Sequence, residues 1–104
     1  MTRHPLWDQR IGQRLSLLRE GTYRVAYIAP RPDLGTFRYR AFNPVEALKN
    51  HESLSAAYFF YSDLEILPDL ADWADALVLV RAPYDQRVEE LYRAFRNAGK
   101  KVFF

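Results

Sequence analysis

The chain has 104 residues, 49% of them hydrophobic and 15% aromatic, which is enough apolar matter for one packed domain and excludes a disordered chain. Its formal net charge of +2 is too small an excess to make a nucleic-acid footprint, even with an isoelectric point near 9.0. It holds no cysteine, hence no disulfide framework and no thiolate metal site, and no apolar run is long enough to span a bilayer. The opening Met1-Thr2-Arg3-His4-Pro5 leads into a charged helix and not into the apolar core of a signal peptide, so a soluble, cytoplasmic protein is expected.

Trp7, Ile11, Leu15 and Leu18 recur at helical spacing, and the pattern predicts an amphipathic helix over residues 8–20 with Arg10, Arg14 and Arg19 on its other faces. Gly21 is placed to stop it. Because the arginines are spread around the helix and form no block, the expectation is a surface helix packed on its own domain, not a membrane-binding one. Residues 1–22 are thus read as an N-terminal helix and residues 23–104 as the domain proper.

The stretch from Tyr23 to Asn50 organises the rest. Arg24-Val25-Ala26-Tyr27-Ile28-Ala29 is apolar after its first residue, as a central parallel strand should be. A loop with Pro30, Pro32 and Gly35 follows, and then Phe37, Ala41, Val45 and Leu48 share one helical face. Pro44 removes a helical bond, so either a kinked helix over 36–50 or a turn followed by a helix with Asn43 as N-cap is expected. A second strand is predicted over 56–61, followed by a capping-box signature, Ser62-Asp63-Leu64-Glu65, and a short helical segment ending near Trp73. The third strand, 76–81, contains Leu77-Val78-Leu79-Val80. Asp85 then caps a helix whose inner face carries Val88, Leu91, Phe95 and Ala98, and Gly99 ends it before a fourth strand from Lys101 to Phe104.

This alternation predicts an α/β fold: a three-layer Rossmann-like or flavodoxin-like parallel sheet of four strands, in order 2-1-3-4, with an extra N-terminal helix. In that order the helix after strand one lies alone on its face, and the N-terminal helix is expected beside it, over strands three and four. The bare Val102-Phe103-Phe104 end predicts uncovered apolar surface, a chain cut from a longer protein, and a homodimer through the strand-four end at Phe103 and Phe104.

The crevice at the carboxyl ends of strands one and three receives Arg31, Asp33, Gly35, Thr36, Arg38 and Arg40 from one side and Arg81, Tyr84 and Asp85 from the other. Gly35, Thr36, Arg38, Arg40 and Arg81 form the candidate ligand site, since a helix N-terminus with arginine forks suits a phosphate or carboxylate. The bland alternative pairs these arginines with Asp33, Asp63, Glu65 or Asp85 at the rim. His4 and His51 lack metal-ligand spacing, and Asp69, Asp72 and Asp75 read as a solvated face, so no metal site is expected. Glycine-rich dinucleotide, P-loop and nucleophile-elbow motifs are absent. The acidic cluster of a phosphoacceptor receiver is absent too.

Three segments together carry a resemblance: Arg24 to Pro30 leading through Gly35-Thr36-Phe37-Arg38-Tyr39-Arg40 to Glu46-Ala47-Leu48, then Ala74 to Arg81, then Gly99 to Phe104. They resemble the start of a GT-B-fold glycosyltransferase, similar to the retaining family-four group, over residues 23–104. The resemblance implies an acceptor-side, N-terminal domain that is inactive alone and has no cofactor of its own. A nucleotide-sugar donor, bound by a C-terminal domain absent here, is implied for the whole protein. Gly35 and Thr36 match the family's loop and Arg38, Tyr39 and Arg40 the start of its helix, although the usual adjacent glycines are reduced to Gly35. The competing expectation is a non-catalytic flavodoxin-like interaction module that uses the arginine rim and the N-terminal helix.

Overall fold

The computed structural model describes residues 11–29, 41–61, 63, 70–80 and 85–103. The elements in chain order are α1 (Ile11–Leu15), β1 (Tyr23–Ala29), α2 (Asn43–Ala47), β2 (Leu54–Phe60), α3 (Leu70–Trp73), β3 (Ala76–Leu79), α4 (Gln86–Asn97) and β4 (Lys101–Phe103). The strands form one parallel sheet in the order β2-β1-β3-β4, the predicted topology.

Strand periodicity sorts the core into two layers. Ala26, Ile28, Ala57, Phe59, Leu77 and Leu79 face one way, against Leu70 and Ala74 at α3 and Val88, Leu91 and Phe95 of α4. Ala29, Ala56, Tyr58 and Val80 face the other way, against Ala41, Phe42 and Val45 around α2. Right-handed crossovers require this division, because the connection from β1 to β2 runs opposite to those leading on to β3 and β4. Each fully enclosed large side chain, such as Phe95 or Ile28, contributes roughly 1.5–3 kcal/mol of burial.

Several local expectations are corrected. α1 ends at Leu15, and residues 16–22 turn back toward β1, so Gly21, with φ of 85°, serves that turn and not the helix end. Leu18 is buried and Ile11 and Leu15 half-buried, but they pack in the α3/α4 layer beside β2 and not over β3 and β4. α2 has no side-chain N-cap: Phe42 is already helical, residues 41–42 wind as a wider π-type turn, and Asn43 is the helix's first residue. The α4 expectation holds at both ends, with Asp85 Oδ1 accepting the Arg87 and Val88 N–H groups at 3.0 and 3.2 Å and Gly99 at φ of 74°. Ala98, however, is the C-cap and is exposed.

Polar side chains fix the strand starts. Asp75 Oδ2 accepts the Arg24 backbone N–H at 2.9 Å and its Nε at 3.3 Å, while the Asp75 N–H donates to the Arg24 carbonyl at 2.7 Å. This reciprocal staple sets β3 one residue past Arg24 and corrects the reading of Asp75 as part of a solvated face. Lys100, just before β4, closes α3, its Nζ donating to the carbonyls of Ala71 and, at 2.7 Å, Ala74.

Candidate functional site

The strand order reverses direction between β1 and β3, so Ala29 and Val80 end side by side at the carboxyl edge of the sheet. The Val80 N–H donates to the Ile28 carbonyl at 2.8 Å, and both Ala29 and Val80 are buried in the α2 layer. The chain leaves both strands at this point, and in open α/β sheets such a switch point is where ligands bind. The sequence-derived ligand residues Gly35, Thr36, Arg38, Arg40 and Arg81 lie outside the described residues, as do Arg31, Asp33 and Tyr84.

The outer edge of β2 and the start of α4 carry charged pairs that sequence reasoning did not find. Arg14 is buried to 5% exposure. Its Nη1 donates to Asp63 Oδ2 at 2.7 Å and to the Tyr58 carbonyl at 3.3 Å. Its guanidinium carbon also sits 5.3 to 5.7 Å from the ring centroids of Tyr58, Phe59 and Phe60. Consecutive strand residues point to opposite faces, so contact with all three rings puts the cation on the strand's open edge. A partial signal was present in the spacing: Arg14 falls at i+3 from Ile11 and next to Leu15, on the apolar side of the helix.

Asp63 serves the same edge a second time, accepting the Phe60 N–H at 2.8 Å. Farther along, Arg19 Nη2 donates to the carbonyls of Leu54 at 2.7 Å, Leu48 at 3.4 Å and His51, and His51 Nδ1 accepts the Leu54 N–H at 3.2 Å. Outward-facing backbone groups of β2 are thereby closed by side chains. Ser55, buried, is tied in by the Thr22 hydroxyl at 2.6 Å and by the Arg19 N–H at 3.1 Å.

On the other flank, Asp85 both caps α4 and lies 3.8 Å from Arg87 Nη2, and the Arg87 guanidinium stacks 4.1 Å from the Tyr61 ring centroid. The Tyr61 hydroxyl is buried without a partner among the described residues. Two of the four rim carboxylates considered as partners for the crevice arginines, Asp63 and Asp85, are therefore engaged elsewhere.

Burial pushes the Tyr27 hydroxyl above its ordinary pKa. It does the same for Tyr58, where Arg14 pulls down and Glu46 adds to the rise, and both phenols stay neutral near pH 7. For Asp75, partial burial alone would raise the carboxyl. The Arg24 N–H, its guanidinium and the Lys100 charge outweigh that and hold it below the ordinary value.

Among the described residues no group of three or more His, Asp or Glu side chains is arranged to hold a metal, and no helix is long and apolar enough to cross a membrane. No family model, curated protein or solved structure matches the chain.

Proposed function

We propose that the chain is the acceptor-side, Rossmann-like domain of a glycosyltransferase of GT-B architecture, and that its crevice takes an anionic ligand such as a sugar phosphate. The observation that carries this reading is the switch point between β1 and β3 in a parallel 2-1-3-4 sheet. The pairing of Asp63 with Arg14, and of Asp85 with Arg87 and the α4 cap, adds support, because it gives two carboxylates named as candidate partners of the crevice arginines other groups to hold. In this reading Gly35 and Thr36 give the loop its close approach, and Arg38, Arg40 and Arg81 supply the charge. The nucleotide-sugar donor and the chemistry of transfer belong to a second, C-terminal domain, and the present chain turns over no nucleotide sugar by itself.

Calorimetric or NMR titration of the chain with inorganic phosphate and with glucose 1-phosphate tests the reading. Saturable binding that weakens as salt rises, and that Arg38→Ala and Arg81→Ala each abolish without loss of the folded spectrum, is the expected result. The absence of saturable binding at low salt overturns it.

The second reading, a non-catalytic interaction module, is favoured by Phe103, which stands 52% exposed on β4. α1 does not supply its docking surface, because Arg14 and Leu18 commit that segment to the domain's own β2 and core.

A further inference from the structure

The two edges of the sheet are finished differently. On β2 the outward groups of Leu54, Tyr58 and Phe60 are held by Arg19, His51, Arg14 and Asp63. The opposite edge is β4, whose described residues pair with β3 alone, Leu77 lying across from Val102. Since the Val80 N–H points to β1, the alternation of a parallel ladder turns Leu77 toward β4 and leaves the N–H and C=O of Val102 directed outward. Val102 packs into the α4 layer, so Lys101 and Phe103 project from the other face, beside half-buried Val78.

We propose that this edge is a self-association surface on which a second copy of the chain adds its β4 antiparallel, about a two-fold axis at Val102. Self-complementarity selects that occupant. An antiparallel pair centred on Val102 exchanges two backbone hydrogen bonds between the two valines. It also sets Lys101 of each copy directly opposite Phe103 of the other, so that both exposed rings receive an ammonium group. Parallel addition in register would stack lysine on lysine and would not close. The edge is only three residues long, so the dimer is weak and concentration-dependent.

Sedimentation velocity on the whole chain, from micromolar to millimolar, tests this. The wild type shifts toward the dimer as concentration rises. Phe103→Lys replaces an exposed side chain and so keeps the fold, checked by circular dichroism, but opposes two like charges in each half of the interface and weakens association about tenfold or more. Combining it with Lys101→Glu puts opposite charges across the axis and restores the dimer. A wild type that stays monomeric overturns the proposal. So does a Phe103→Lys variant that dimerises as well as the wild type, or a folded double variant that stays monomeric.

Discussion

Replacing Arg14 by alanine removes a buried cation from the edge of β2. The variant loses the 2.7 Å ion pair with Asp63, the 3.3 Å bond to the Tyr58 carbonyl and the contacts with three rings. Truncating one partner of a buried ion pair costs about 3–5 kcal/mol, because the other charge is left stranded. Asp63 is 14% exposed and keeps the Phe60 N–H, so the lower end applies, about 3 kcal/mol. Against a total stability of roughly 5–15 kcal/mol this is a large share. With a urea m value of about 1–1.5 kcal/mol per molar, the unfolding midpoint drops by about 2–3 M. Arg14→Met keeps the apolar stem but still takes the donor from the Tyr58 carbonyl and the cation from Asp63, at about 2–3 kcal/mol. Adding Asp63→Asn to Arg14→Met recovers part of that loss, so the double-mutant cycle shows coupling of at least about 1 kcal/mol. Urea unfolding followed by circular dichroism reads all five proteins: the wild type, Arg14→Ala, and the Arg14→Met, Asp63→Asn and double variants of the cycle. An Arg14→Ala cost below about 0.5 kcal/mol, or a cycle that closes without coupling, would show that the guanidinium is solvated and the reasoning mistaken.

Two further outcomes follow from the same polar contacts. Because the Asp75 carboxyl is held below its ordinary value of 3.8, its contribution is complete above that pH and is lost as the pH falls through the lower folded value. Asp75→Asn should therefore flatten the acid limb of a stability-versus-pH curve and leave its neutral side lower by about 1 kcal/mol; an unchanged acid limb refutes the assignment. Asp85→Ala removes the acceptor for the Arg87 and Val88 N–H groups and is expected to lower thermal stability by about 1 kcal/mol, whereas Asp85→Asn should cost much less. Equal losses in the two variants would mean that the charge near Arg87, and not the cap, is what matters.

Fold class and strand order were legible because they rest on local and additive signals. Leu77-Val78-Leu79 and Ala57-Tyr58-Phe59 have no polar face to turn outward, and chain handedness leaves few ways to stack such strands. Asp85 and Gly99 could be read for the same reason, since a cap and a helix stop are decided within a few residues. The short span of α1 and its place beside β2 were not legible. A basic residue on an apolar stripe looks like an interruption until a carbonyl, a carboxylate and three rings from residues 58–63 are brought around it. Asp75 was misread for a related reason, because its partners Arg24 and Lys100 lie far off in sequence. Thus the sequence by itself determined which segments are strands and in what order they lie, through short-range pattern and chirality. Only the tertiary structure decided which charges are buried and which edge stays open, because those depend on contacts between residues dozens of positions apart.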